Sequence, residues 1–590
     1  MPDLTFLEID LHLAELIRRL SGSTPAAAAT ALASRAFNER NICADLIDYA
    51  GREIVGFGIA PDIKTWEKEL LKSGIAGGSG DAAPLILDGA GRLYLMRYFR
   101  YEQSLAQKIR SLAAYPVRYD TVKLKNSIER LFPDNPDETD WQKVASIAAV
   151  TRGFSVITGG PGTGKTTTVA KILALLLEQD SSLKIALSAP TGKAAKRLGE
   201  AVNEALDNLD CDERVKKVIP PEAQTLHRLI GIGNDLARIR HNEKNPVNAD
   251  VVIIDEASMV SLPLMSRLAA ALKKGSRLML LGDKDQLSSV EAGFVLGDIC
   301  DTGGSHDYSE EFSGLVKGLA GYKLSFGERT LQDSIVELRK NYRFSSSSGI
   351  GRISASIKDG HFSAEGLYDY DGIIFRQAPA MAEIRQAITE TVIEHFMPYL
   401  SAKDMSEKLR LFNSFRILCA LREGPYGIYN INRVVENILA SAGRLTPRGR
   451  YYDMMPVMIT ANDYTLRLFN GDIGIVAKRS DGILEAWFSQ ASGNTQLLRN
   501  IPVTRLPENE PVFAMTVHKS QGSEFDNVLL ILPDRDSQVL TKELIYTGIT
   551  RARKLLEIWA NPEVLDIASG RQTKRTSGLR DALWGFEGSF

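Results

Sequence analysis

Nine consecutive residues, Gly159, Gly160, Pro161, Gly162, Thr163, Gly164, Lys165, Thr166 and Thr167, have the composition of a phosphate cradle. Glycines let successive backbone N–H groups turn inward around phosphate oxygens, and a helix beginning there adds partial positive charge. In such a loop Lys165 reaches the β- and γ-phosphates of ATP, and the Thr166 hydroxyl ligates Mg2+. Asp255 and Glu256 follow the apolar run 251–254. A carboxylate at the end of a parallel strand sits where nucleotides bind in open α/β sheets. Asp255 is therefore the second expected Mg2+ ligand. Glu256 is the expected water-positioning group, because phosphoryl transfer needs positioning more than covalent chemistry. Gln286, after the apolar run 278–281, is placed to contact the γ-phosphate or the water. Arg343 and Arg551 are candidate fingers for transition-state charge. Gln142 lies just upstream of the loop, and its amide offers the donor and acceptor that an adenine edge needs.

A second set of residues suits a phosphodiester. Thr191 and Lys193, in 189–198, place small, hydroxyl and basic groups where a strand gives way to a helix. Thr225 with His227, and Thr516 with His518, have the same character. No ligand cluster accompanies either histidine, so neither implies a metal.

These groups need strands and helices to hold them. Residues 154–157 read as a buried strand and 169–177 as a helix, the context a phosphate loop requires. Apolar runs at 184–187, 251–254 and 278–281 alternate with helical stretches, the pattern of a parallel sheet covered on both faces. A second α/β unit is expected from about 331 onward. Within it, dense turns at 470–472 and 480–482 predict a small β-barrel at about 445–510. Residues 236–245 suggest a protruding hairpin, 302–330 a variable insertion, and 133–137 a turn-rich break. Residues 1–115 read as mostly helical with one strand pair near 84–95. The expected division is 1–115, 116–345 and 346–590.

Composition sets the outer bounds. With 44% hydrophobic and 24% charged residues the chain is of ordinary globular type. Lys+Arg 71 against Asp+Glu 73 gives no global basic field, so nucleic acid would have to be met in a narrow groove. Cys43, Cys211, Cys300 and Cys419 lie far apart without metal-ligand spacing. That usage suits a reducing compartment, and the start of the sequence shows no signal peptide. No apolar run approaches a membrane span. A cytoplasmic location and no membrane partner are expected.

The order of these motifs resembles that of superfamily-one DNA helicases over residues 130–560. The motifs are 159–167, 189–198, 255–258, 282–293, 341–344, 516–525 and 546–553. Within that superfamily the runs 160–171, 255–260, 290–300 and 468–474 resemble the RecD family, the alpha subunits of bacterial exodeoxyribonuclease V (RecBCD). The resemblance implies two RecA-like parallel-sheet motor domains with ATP between them and single-stranded DNA across both. It also implies 5′-to-3′ translocation at duplex ends for recombinational repair. It assigns the ATPase roles to Lys165, Thr166, Asp255, Glu256, Gln286, Arg343 and Arg551, adenine to Gln142, and a ribose contact to Glu524. It implies DNA contacts at Thr191, Lys193, Thr225, His227, Thr516 and His518. RecB-like and RecC-like partners are implied, with nuclease activity on a partner chain and the N-terminal domain docked on the RecC-like subunit. A freestanding helicase of the same family is the alternative.

Overall fold

The computed structural model describes residues 4–133, 138–233, 239–304, 306–327, 330–344, 348–492, 495–573 and 575–585. Residues 134–137 of the predicted break, and 236–238 of the predicted hairpin, lie outside these. The described flank of the hairpin carries antiparallel bridges Ile232–Ile239 and Asn242–Asn245.

Two parallel sheets organise the chain. The first has the spatial order Ile335–Glu337, Phe154–Thr158, Arg277–Gly282, Val251–Ile254, Ile185–Ala189, Gln224–Thr225. The second has the order Ile373–Gln377, Ala552–Ala560, Phe525–Ile531, Phe415–Cys419, Ala514–Thr516. Every residue of Phe154–Thr158, Val251–Ile254 and Phe415–Cys419 is buried. Strands covered on both faces must be apolar throughout, which is why they read as unbroken runs rather than alternations.

Helices cover both faces of the first sheet. One layer contains Thr121–Leu131, Trp141–Thr151, Lys165–Gln179 and Glu310–Ala320. Tyr308, Phe312 and Val316 are buried in that layer, so the stretch read as an insertion supplies part of the core. Asp140 opens its helix by accepting from the backbone N–H of Gln142 and Lys143. The other layer contains Met96–Ala113, Leu262–Ala271 and the terminal helix Leu579–Trp584.

Residues 456–511 form a five-stranded antiparallel sheet inserted into the second unit. Its order is Thr495–Pro502, Leu484–Ser492, Ile473–Lys478, Pro456–Ile459, Asn509–Pro511. Gly471 and Gly482 take positive φ at the two predicted turns, where a side chain would be strained. The described pairings make an open ladder, and its apolar face joins the core of the second parallel sheet through Val457, Ile475 and Phe488.

The N-terminal region holds helices Glu8–Ser21, Thr24–Asn38 and Ile63–Lys72. Its sheet has four strands rather than the predicted pair, because Cys43–Asp45 and Ala76–Gly77 flank Arg92–Leu95 and Leu85–Leu87. Strands of three and two residues are too short to show a period.

The C-terminal segment returns from the second sheet to the first. Thr573 bonds Glu543 in the second unit, whereas Arg575 donates to the carbonyls of Ser289 and Gly293 in the first. Thr576 pairs with Ile42 and Asn41, and Gly578 N–H donates to Glu102 Oε2 at 2.9 Å. Arg92 bridges Asp88 and Asp581 at 2.6 and 2.5 Å. Burial pushes the Glu102 carboxyl up from its ordinary value to about 8. The native state therefore keeps a proton that the unfolded chain releases above the ordinary carboxyl range, so this group makes stability fall as pH rises toward 8. Glu102→Gln removes the titration and keeps an acceptor for Gly578. In urea unfolding the variant should gain about 2 kcal/mol over wild type between about pH 5.5 and about pH 7.5. Parallel pH profiles would refute this assignment.

Candidate composite phosphate site

The phosphate loop leaves the fully buried strand Phe154–Thr158 and ends at Gly164, which caps the helix Lys165–Gln179. Gly162 and Gly164 have φ of +82° and +78°, a left-handed backbone that glycine adopts at little cost. Their missing Cβ atoms also make room. A Cβ on Gly162 would lie 2.5 Å from Arg343 Cβ, and one on Gly164 would lie 2.4 Å from Gln142 Nε2. Lys165 Nζ donates to the loop carbonyls of Gly159 and Gly160 at 2.7 and 3.1 Å. Thr166 is half-buried and Thr167 exposed at the same helix start. Thr163 donates its hydroxyl to Gly160 O, and Gln142 donates to Thr163 O at 3.1 Å. The predicted adenine reader thus lies against the loop.

Asp255 and Glu256 stand at the end of Val251–Ile254, as expected. Asp255 is pushed up to about 6, first by burial and then by the Glu256 charge, with Lys165 opposing. Glu256 takes φ +52°, a conformation that non-glycine residues keep only where the surroundings fix it. Gln286 is buried and donates to Asp283 Oδ2 at 2.9 Å.

The second sheet completes the site. Tyr546 donates its hydroxyl to the same Asp283 oxygen at 3.2 Å, and a Cβ on Gly160 would meet that hydroxyl at 2.8 Å. Gln521 donates to Leu287 O, and Leu287 N–H donates to Thr547. Arg551 is buried, donates Nη1 to Ser523 O at 3.1 Å, and feels the Glu256 and Glu524 charges. Arg343 donates Nη2 to Glu524 Oε1 at 2.6 Å, and among the described residues its buried Nη1 has no hydrogen-bond partner. Glu524 also faces Arg553 at 3.3 Å and Arg197 at 3.5 Å. Burial pushes its carboxyl up, but Arg197, Arg343, Arg551 and Arg553 outweigh this and hold it down at about 2. The expected ribose contact is thus occupied in ordering guanidinium groups.

The phosphodiester candidates divide into two groups. Thr191 and Thr225 each cap a helix at the ends of neighbouring parallel strands, so Ala189 and Thr225 share a register position. His227 is exposed beside them. Lys193 turns toward the cleft, where it donates to Ser523 Oγ at 2.7 Å and Gly471 O at 3.2 Å. Burial brings its amine down to about 8. Thr516 ends the edge strand of the second sheet and accepts from Lys519 N–H. His518 is half-buried and held down at about 4, by burial first and then by Arg40 and Arg575. It therefore presents a neutral ring at neutral pH. A cavity of about 450 Å³ opens between the helix Gly192–Asp207, the inserted sheet and Glu524, lined by Lys193, Lys196, Arg197, Arg467, Arg499 and Arg553.

Sequence reasoning missed Asn341 and Tyr342. Asn341 accepts from Arg343 N–H and Phe344 N–H and donates to Pro161 O, docking the finger segment on the phosphate loop. Tyr342 N–H donates to Gly162 O, and its exposed ring lies beside Gly164. A turn-forming asparagine next to a candidate finger was the available signal. Among the described residues no helix is long and apolar enough to cross a membrane.

Comparison with known proteins identifies the family. Residues 142–292 match the AAA domain family, 511–558 the UvrD-like helicase C-terminal domain, and 5–94 the N-terminal domain of RecBCD enzyme subunit RecD. The chain is 36% identical over 592 residues to RecBCD enzyme subunit RecD of Mycolicibacterium smegmatis, covering 97% of each chain. It is 36% identical over 528 residues to that subunit of Haemophilus influenzae, covering 84% of this chain and 80% of the other. The ATP-dependent RecD2 DNA helicase of Deinococcus radiodurans is 29% identical over 85% of this chain, which spans 60% of that helicase.

The cradle makes a direct prediction. Alanine at Gly162 carries a left-handed backbone penalty of about 1–2 kcal/mol, and its Cβ collides with Arg343. Gly162→Ala should weaken binding of a fluorescent ATP analogue about tenfold or more. Gly314→Ala, where an added Cβ meets nothing within 4 Å, is the control and should bind as wild type.

Proposed function

The chain belongs to the RecD family of RecBCD enzyme subunits, and from this we propose that it is the ATP-driven 5′-to-3′ DNA helicase subunit of such an assembly. It unwinds DNA ends for double-strand break repair by homologous recombination, with nuclease activity on a partner chain. One observation carries the motor reading. The phosphate loop of the first sheet and Arg551 of the second converge on one cleft, tied by Tyr546, Asp283, Ser523 and Glu524. Three domains, at 1–115, 116–345 and 346–590, serve this role, the latter two RecA-like and the last interrupted by the inserted antiparallel sheet.

The residues present fit MgATP. The cradle is built of glycines that leave no room for a Cβ, among the described residues Lys165 donates to loop carbonyls that it can exchange, and Arg343 Nη1 is buried without a hydrogen-bond partner among them. Thr166 and Asp255 would hold Mg2+, which when bound neutralises charge on the β- and γ-phosphate oxygens. Glu256 positions the water, Gln286 contacts the γ-phosphate side, and Arg343 and Arg551 stabilise the charge that develops. Gln142 takes the adenine edge, the Tyr342 ring covers the base, and Glu524 supports the fingers and lies near the ribose. Thr191, Lys193, Thr225, His227, Thr516 and His518 lie on the single-stranded DNA side. The chain works in the cytoplasm.

Coupling between DNA and hydrolysis is the test. With MgATP, single-stranded oligothymidylate should raise the hydrolysis rate of the purified chain by more than about tenfold, because the fingers must be brought to the γ-phosphate. Lys165→Gln should abolish both the stimulated rate and unwinding of a duplex with a 5′ tail. A rate indifferent to DNA, or an active Lys165→Gln protein, would overturn the reading.

The N-terminal helix Glu8–Ser21 suits a RecC-like partner. Asp10, Ala14 and Ile17 face inward, whereas Ile9, Leu16 and Leu20 are 61%, 51% and 67% exposed. An apolar face of this kind marks a protein contact. The double change Leu16→Asp and Leu20→Asp should alter the chain's own stability by less than about 0.5 kcal/mol. Co-purification with the RecC-like chain should be lost. Unimpaired co-purification would remove this helix from the interface.

A further inference from the structure

The helix Gly192–Asp207 begins at the phosphodiester candidates Thr191 and Lys193. One turn later, on the same face, it carries Arg197. The guanidinium of Arg197 forks across the cleft. Nη1 donates to Gly522 O, and Nη2 pairs with Glu524 Oε1 at 3.5 Å. Lys193 grips the residue between them, donating to Ser523 Oγ at 2.7 Å. The three-residue strip Gly522–Ser523–Glu524 is thus held from the DNA side by two cations of one helix.

The opposite side of the strip holds the hydrolysis machinery. Ser523 O accepts from Arg551, and Glu524 Oε1 accepts from Arg343. A Cβ on Gly522 would lie 4.0 Å from Glu256 Oε1, so the strip also borders the water-positioning carboxylate. A shift of this helix of even 1 Å would be felt at both fingers, and fingers depend on placement at that scale.

We propose that Arg197 is a positioning residue that couples DNA occupancy of the helix Gly192–Asp207 to hydrolysis, by holding Gly522 and Glu524 so that Arg343 and Arg551 are aligned on the γ-phosphate. This rests on the motor reading given above. A guanidinium suits this place, because its two Nη atoms reach the carbonyl and the carboxylate from separate positions in a rigid fork, whereas a lysine must meet both from one nitrogen on a shorter, flexible stem.

Steady-state ATP hydrolysis by the full chain, at saturating oligothymidylate, tests the coupling. Arg197→Ala should lower kcat about tenfold or more while KM for ATP stays within about twofold, because the cradle is untouched. Arg197→Lys, which keeps charge and helix propensity, should fail to restore kcat. In a Glu524→Gln background, Arg197→Ala should cost less than about threefold further, the non-additivity of residues that act as a unit. A general structural defect would instead shift the unfolding midpoint and multiply the two losses. A kcat for Arg197→Ala within about twofold of wild type, rescue by lysine, or multiplicative losses would overturn the proposal. Wild-type hydrolysis without any DNA stimulation would instead sink the motor reading itself. Stimulated wild type with equally stimulated Arg197→Ala would sink the coupling alone.

Discussion

One carboxylate holds the functional half of this molecule in register. Glu524 sits among the guanidinium groups of Arg197, Arg343, Arg551 and Arg553, contributed by the first-sheet unit and the second. Four like charges gathered in a partly buried cleft repel one another strongly. Glu524 at their centre makes the arrangement tolerable, with Glu256 acting on Arg551 and Asp526 facing Arg553 at the edge. Removing one member of such a cluster leaves the others uncompensated, so these groups act together rather than as separate contacts. The position of Glu524, immediately before the central strand Phe525–Ile531, fixes the cluster to the middle of the second sheet.

The cleft is not equally free along its rim. Thr573 is anchored in the second unit and Arg575 in the first, with one residue between them. Two steps of extended chain reach about 7 Å at most. That rim can hinge but cannot part without losing an anchor. Elsewhere in the cleft the first unit meets Gly522, Ser523 and Glu524 only through the flexible side chains of Lys193 and Arg197 among the contacts described. Side-chain hydrogen bonds of this kind can be exchanged for bonds to another anion at little net cost.

What the sequence made legible was whatever is local. The strand, glycine loop and helix at 154–179 are contiguous, and the buried strands announce themselves as apolar runs. Asp255 and Gln286 were found because each follows such a run. The inserted antiparallel sheet was visible through its turn glycines. Arg197 carried no such mark. Its partners lie 325 and 327 positions away, and nothing in a run of small and basic residues tells which basic group crosses the cleft. Glu524 was found, but its ring of arginines could not be read from spacing. The N-terminal strands Cys43–Asp45 and Ala76–Gly77 escaped notice because tertiary pairing, not periodicity, makes them strands. The stretch 302–330 reads as a variable insertion from its glycine, serine and acidic residues, yet Tyr308 and Phe312 pack beside Trp141 in the layer over the phosphate-loop helix.

The N-terminal region rides with the first sheet rather than the second. Its helix Met96–Ala113 packs against Leu262–Ala271, and the buried groups Arg92, Asp88, Asp581 and Glu102 lock it to the terminal helix Leu579–Trp584. Removing a carboxylate partner of Arg92 strands a buried charge, so this junction resists sliding. The outward face of Glu8–Ser21 keeps its orientation for a similar reason, since buried Asp10 holds Ser34 and Asn38 of the next helix. A subunit docked on that face would therefore grip the phosphate-loop half of the motor and leave the half bearing Arg551 free to swing.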